Sequence, residues 1–150
     1  VPARPSWPFF ISAIWAAELR YIADHPLLGS GFGTFTDTKS QSPLHNYVSG
    51  SWVDAVSHGH NGYLQVLVTI GGIGFALVVI AAMIVPMRRF WTLDRGDGFK
   101  PMLMALFVFA VLHNFMESDF LEGDGVTWVS LLLVIAALNA LARRHSLTGR

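Results

Sequence analysis

The feature that most constrains this chain is a run of about 24 residues, 64–87, without a charged side chain. A helix of roughly 20 apolar residues is long enough to cross the hydrocarbon core of a bilayer. Charged residues make up 13% of the chain, about half the share of a typical soluble domain. The alternative, a soluble bundle of buried helices, leaves almost no polar face to meet water. The run therefore predicts an integral membrane protein.

Two further apolar runs, 101–116 and 126–142, are shorter, but their flanks extend them towards the length of a span. We therefore predict an all-α membrane protein with three transmembrane helices. The net charge is zero with neutral histidines, so nothing indicates a nucleic-acid partner. The absence of cysteine excludes a disulfide framework and a thiolate zinc site. The start at Val1, which is not a methionine, suggests the C-terminal part of a longer chain.

The charges between the runs predict the orientation in the membrane. Arginine and lysine are concentrated in segment 88–100 and recur in the tail 143–150, whereas the turn 117–125 carries only acidic charges. Because positively charged loops stay in the cytoplasm, we expect segments 88–100 and 143–150 to be cytoplasmic. Segments 1–63 and 117–125 then lie on the opposite face.

The outer segment 1–63 contains a predicted amphipathic helix and a glycine-rich turn. We expect Ser12 to cap the helix, which ends at Asp24 because the residue before Pro26 avoids helical geometry. In the following "HPLLGSGFGTF", Gly31 and Gly33 leave backbone amides able to approach an anion or a glycan. A tight turn that lays the helix on the membrane is an alternative compatible with that function.

The sequence "SHGHNGYLQVL" opens the first span and is the most suggestive motif. His60 stands where a side chain is partly dehydrated but still meets water, and histidine accepts a proton near neutral pH. Asn61 is predicted to orient the imidazole or a sugar hydroxyl. The structural alternative is an interfacial histidine beside a helix-capping asparagine. A zinc site is not predicted, although His45, Asp54 and His58 with His60 form a conceivable ligand set.

Charged side chains on the outer face are few. Arg20 is a candidate to bind a diphosphate group, and an i,i+4 ion pair with Asp24 is the alternative. Glu117, in the acidic turn, is a candidate to bind sugar hydroxyls or a cation, and a solvated surface charge is the alternative. Within the first span, Gly71, Gly72 and Gly74 suggest close helix packing.

Three motifs in order, "IADHPLLGSGFGTF", "HGHNGYLQVLVTIGGIGF" and "HNFMESDFLE", resemble the bacterial O-antigen ligase and O-antigen polymerase family. The resemblance extends over about 130 residues, from Ile14 to Arg144, and is nearest to the exopolysaccharide-polymerase branch. It implies a GT-C-type helical protein of the bacterial inner (cytoplasmic) membrane, with segment 1–63 in the periplasm. His60 in "HNGYL" matches the family's motif histidine.

The resemblance also implies an enzymatic activity. Such proteins transfer a glycan from an undecaprenyl-diphosphate carrier to an acceptor hydroxyl on a glycan or lipid, in lipopolysaccharide or exopolysaccharide biosynthesis, without a cofactor or an essential metal. One position departs from the pattern: the family commonly has an arginine shortly before the tryptophan, and Ser12 or Ala13 stands there before Trp15. This departure favours the alternative of a non-catalytic polysaccharide assembly or export protein. A transporter would need an ionisable group within a span, and only His113 approaches that position.

Overall fold

The structure is a computed structural model. It describes residues 7–32, 34–35, 42–48, 56, 59–93, 98–123 and 125–148. For residues 7–10 and 144–148 it describes the backbone alone. The described residues form helices and turns and no strand, which confirms the all-helical prediction. Five α-helices follow in chain order: α1 (Trp7–Asp24), α2 (Gly62–Val79), α3 (Val85–Thr92), α4 (Lys100–His113) and α5 (Val126–Thr148). A 3₁₀ helix (Pro43–Asn46) lies between α1 and α2, and a π-helical turn (Ile80–Ile84) joins α2 to α3.

The chain divides into two compact units. The first unit comprises Val1–Phe75 together with Asn114–Phe120. Its core is built on one face of α1, because positions 14, 17 and 21 recur at helical spacing. Buried against this face are side chains from the loops and from α2: Phe35, Leu44, Val56 and Val68.

The second unit comprises Ala76–His113 and Leu121–Arg150. Helix α5 packs against α4 and α3. Buried side chains at positions 103, 107 and 110 of α4, and at 131, 134 and 138 of α5, recur every three or four residues. The rings of Phe90 and Phe107 meet edge to face at 5.6 Å. The other faces of these helices expose large apolar side chains such as Leu106, Phe109 and Leu133, as expected where lipid is the solvent.

Two helical segments are long and apolar enough to cross a membrane: Gly62–Thr92 and Val126–Arg143. The first contains the predicted span 64–87 and the second contains 126–142. The segment predicted as a span at 101–116 forms the 14-residue helix α4, which is shorter than a typical span. A third transmembrane helix therefore stays a prediction.

Two local predictions about α1 have different outcomes. The helix ends at Asp24, as the proline two residues later predicted. It begins at Trp7, however, so the expectation that Ser12 caps it is wrong. Ser12 lies exposed within the second turn. Sequence reasoning placed the start too late because serine is a common cap residue, whereas here the helix already includes the five residues before Ser12.

Candidate functional site

The His60 motif forms the N-terminus of α2, and Asn61 is its cap. The Asn61 Oδ1 atom accepts hydrogen bonds from the amides of Tyr63 (3.1 Å) and Leu64 (3.2 Å). These amides are the second and third of the helix, which have no partner in the preceding turn. Asn61 was predicted either to orient the imidazole or a sugar hydroxyl, or to cap the helix. The structure shows the capping role.

The turn Asn114–Phe120 lies against this helix start and is organised by Asn114. Its Oδ1 accepts from the amides of Asp119 (3.1 Å) and Phe120 (2.9 Å). Its carbonyl, and that of Glu117, accept from the amide of Gly62 at 2.8 and 3.0 Å. A Cβ at residue 62 would overlap the Asn114 side chain, so only glycine permits this approach. The amide of Asn61 also donates to Ser118 Oγ at 3.0 Å.

These contacts bring Glu117 to His60, although 57 residues separate them in the chain. The Nδ1 atom of His60 lies 3.2 Å from Glu117 Oε2. The histidine side chain is 22% exposed and the glutamate 44% exposed, so the pair is partly desolvated but reachable from solvent. In the Nδ1–H tautomer, His60 donates to the carboxylate and its Nε2 carries the acceptor lone pair.

His60 also has unusual backbone geometry. Its φ is 54°, in the left-handed region that residues with a Cβ seldom adopt. Such conformations persist only where surrounding contacts impose them, and they are concentrated at functional sites. The preceding Gly59 and the following cap at Asn61 supply those contacts.

A buried acidic side chain, Glu18 of α1, lies against the backbone of Gly59. Its side chain is completely buried, and neither carboxyl oxygen has a hydrogen-bond partner among the described residues. A Cβ at residue 59 would overlap this carboxyl group. Burial raises the pKa of Glu18 from 4.5 to about 8, because the charged form loses its hydration. One turn earlier, Trp15 Nε1 donates to the Gly59 carbonyl at 2.7 Å.

The predicted glycan-binding glycine turn has a different set of contacts. The amide of Gly31 donates to the Thr69 carbonyl at 2.8 Å, so it is engaged with α2. The φ of Gly31 is 99°, which explains the need for glycine. Gly33 lies outside the described residues. Gly71 and Gly72 make close contacts as expected, but their partner is the backbone of residues 26–28 and not a second helix.

Arg20 lies on the exposed face of α1, together with Ala16, Leu19 and Ala23. The ion pair with Asp24 is not found among the described contacts; instead, Asp24 Oδ2 accepts from the hydroxyl of Tyr47 at 2.8 Å. No described contact joins Arg20 to His60. Within the described part of the chain no group of three potential metal ligands occurs, but Asp54 and His58 of the conceivable zinc set lie outside it.

Sequence reasoning did not assign a role to Asn114 or Glu18. Asn114 has a local signal, since asparagine is a common residue in turns and here it follows His113 near the end of the apolar run 101–116. The helical periodicity of α1 indicates that Glu18 is buried, because it falls within the buried stripe formed by positions 14, 17 and 21. An acid at a core position is rare unless it has a partner or a function, and this rule alone would have selected it.

Comparison with known proteins shows that a family model matches part of the chain. The family model described as O-antigen ligase (Wzy_C) matches residues 12–79. The match includes the glycine turn and the His60 motif and confirms the resemblance there, whereas the "HNFMESDFLE" turn lies beyond it. No curated protein and no solved structure gives a significant match.

Proposed function

On the premise that residues 12–79 are a segment of the O-antigen ligase family, we propose that the protein is a membrane glycosyltransferase. It transfers a glycan from an undecaprenyl-diphosphate carrier to an acceptor hydroxyl on a glycan or lipid. Membrane polysaccharide assembly is what the family match and the apolar helices support directly. The chemistry of donor and acceptor is our proposal.

The pairing of His60 with Glu117 at 3.2 Å carries this proposal. A base held in orientation by a third group is the arrangement that activates a hydroxyl nucleophile. The sequence made Glu117 a candidate to bind sugar hydroxyls or a cation, and we now propose that it orients His60. It stabilises the positive charge that the imidazole acquires when it takes a proton.

The reaction proceeds as a single displacement. The acceptor hydroxyl gives its proton to His60 Nε2 while its oxygen forms a bond to the anomeric carbon. The bond from this carbon to the diphosphate oxygen breaks, and the electron pair remains on the diphosphate. Attack from the face opposite the leaving group inverts the anomeric configuration. Base catalysis contributes about 10² to 10⁴ in rate, so positioning and charge stabilisation must supply the remainder.

The departing diphosphate needs a cation or amide donors close by. In the described outer region Arg20 is the arginine that an approaching donor can meet, because its side chain is exposed on α1. We retain Arg20, Asn61, Gly31 and Gly33 as proposed substrate-binding residues. Asn61 and Gly31 also make the structural contacts described above. Substitutions at these two positions must therefore distinguish a structural role from substrate binding.

The test compares His60→Ala with His45→Ala in cells that depend on this protein for polymer or ligated product. His60→Ala should abolish product while the amount of protein in the membrane stays near wild type, because a lost base costs about 3 to 5 kcal/mol of barrier. His45→Ala should leave product near normal, since His45 lies in the 3₁₀ helix outside this motif.

Glu117→Gln should lower product less than His60→Ala does, because the base is kept but its orientation and charge stabilisation are weakened. Glu122→Gln is the matched control, since Glu122 is exposed in the same acidic segment. Normal product from His60→Ala would refute the catalytic proposal. A non-catalytic role in polysaccharide assembly would then be the better account, which Ser12 or Ala13 in place of the family's arginine already favours.

A further inference from the structure

The loop formed by residues 26–32, "PLLGSGF", carries no charge and exposes its large apolar side chains. Leu27 is 61% exposed, Leu28 76% and Phe32 66%. Three large apolar side chains exposed within seven residues form a patch that a water-facing loop seldom presents. We call this segment the 26–32 loop.

The 26–32 loop is joined to a break in α2. At Gly71 the backbone leaves the helical conformation, with φ 66° and ψ −175°. An uninterrupted helix would pair the Val68 carbonyl with the Gly72 amide, and the Thr69 carbonyl with the Ile73 amide. The break separates these two pairs and leaves two carbonyls and two amides in need of partners.

The loop supplies a partner for each of the four groups. The amides of Ser30 and Gly31 donate to the carbonyls of Val68 and Thr69, both at 2.8 Å. In the other direction, the loop's first two carbonyls accept the two amides of α2: Pro26 from Gly72 at 2.8 Å and Leu27 from Ile73 at 3.3 Å. Two helical hydrogen bonds are thus replaced by four bonds between the loop and the helix.

Glycine is required on both sides of this junction. A Cβ at residue 71 would overlap the backbone of Leu27 and Leu28. A Cβ at Gly29 would lie 2.7 Å from the Gly71 amide nitrogen, closer than real side chains approach. The loop and the break in α2 can therefore approach each other this closely because glycine occupies positions 29 and 71.

If α2 spans the membrane, the position of the break places the junction of loop and helix at membrane depth. Gly71 lies nine residues after the start of α2, about 13 Å along the helix axis, and inside the charge-free run 64–87. Irregular backbone is tolerated in a bilayer only where its polar groups are satisfied internally. The four reciprocal hydrogen bonds meet that condition for the two carbonyls and two amides at the break.

We propose that the 26–32 loop is inserted into the bilayer and that Leu27, Leu28 and Phe32 contact lipid acyl chains. Acyl chains are the occupant that fits, because the patch is charge-free and continues onto the exposed Ile73 of α2 (52%) beside the break. The loop then anchors the start of the first unit to the membrane. The proposal depends on α2 being a span and is independent of the catalytic role proposed for His60.

The test uses the absence of cysteine from this chain. Leu28→Cys and Phe32→Cys are each labelled with an environment-sensitive fluorophore and reconstituted in vesicles of phosphatidylcholine and phosphatidylglycerol. Leu77→Cys, exposed on α2 (63%), is the lipid-facing control. Asn46→Cys, exposed in the 3₁₀ helix, is the water-facing control.

Labels at positions 28 and 32 should behave like the label at position 77. We expect blue-shifted emission, strong quenching by lipids with nitroxide-labelled acyl chains, and iodide quenching several-fold weaker than at position 46. Iodide quenching equal to that at position 46 would overturn the proposal. So would shielding from both iodide and nitroxide lipids, since that result would identify a protein contact on the patch.

Discussion

Glu18 illustrates how one residue links the fold of the first unit to its candidate site. Its carboxyl group is buried beside Gly59, and Gly59 precedes His60. Because burial raises the pKa of this group to about 8, the folded protein holds a proton there that the unfolded chain releases above its ordinary pKa of 4.5. The neutral acid therefore supports the site at and below neutral pH.

This proton makes stability depend on pH in a defined direction. Below pH 4.5 both states are protonated and the group has no effect; stability then falls as pH rises towards 8 and falls no further above that. Glu18→Gln, which keeps the shape without the charge, should remove this dependence. We expect the variant to unfold at a higher temperature than wild type at pH 8 and at a similar temperature at pH 5, as measured by thermal unfolding in detergent. Equal stability of the two proteins at pH 8 would contradict the burial of an unpartnered carboxyl group.

At the scale of single elements, the start of α2 is where structural and catalytic requirements meet. Asn61 caps the helix, and the neighbouring residue is the proposed base. A substitution at Asn61 therefore tests capping and substrate binding together unless the replacement is chosen to separate them.

Serine and alanine provide that separation at position 61. Asn61→Ala should lower the free energy of unfolding by about 1 kcal/mol, because the amides of Tyr63 and Leu64 lose their acceptor, whereas Asn61→Ser should lose less. Thermal unfolding measures this difference. If Asn61 also binds the glycan through its amide, Asn61→Ser should lose product despite near-normal stability; normal product would limit Asn61 to capping.

The break at Gly71 is a second element-scale feature with a definite consequence. Gly71→Ala places a Cβ against the backbone of Leu27 and Leu28 at a φ of 66°, and strain of this kind costs on the order of 1 to 3 kcal/mol. We expect a lower unfolding temperature and less protein in the membrane. Gly98→Ala is the control, because a Cβ there meets nothing within 4 Å. Equal behaviour of the two variants would argue against the junction.

At the scale of the whole molecule, the candidate spans and the distribution of charge lead to a topology prediction. The candidate spans Gly62–Thr92 and Val126–Arg143 both end near arginine residues. If α4 also crosses the membrane, His60 and Glu122 lie on the same outer face, and the tail 143–150 is cytoplasmic.

Reporter fusions check this topology. Phosphatase fused after His60 or Glu122 should be active, which marks the periplasm, and a fluorescent reporter fused after Arg95 or Arg150 should fluoresce in the cytoplasm. The expected result follows from the arginine and lysine content of segment 88–100. A cytoplasmic His60 would refute the orientation and, with it, the access of His60 to a donor on the outer face.

The sequence by itself determined the class of the molecule. Long charge-free runs and scarce charges predict helices in lipid, because that composition leaves almost no polar face to meet water. The end of α1 before Pro26, the candidate spans and the family match at the His60 motif also follow from local signals. Asn61 was correctly considered as a cap, since capping depends on residues two and three positions away.

Only the tertiary structure decided the partners across the chain. His60 meets Glu117 through a turn 57 residues later, and Glu18 reaches Gly59 because α1 packs against the His60 motif. The 26–32 loop replaces the hydrogen bonds of a helix that the sequence presented as continuous. Hydrophobic periodicity indicates which face of a helix is buried. It does not indicate which backbone or carboxyl group packs against that face. Those pairings arise when separate segments fold together.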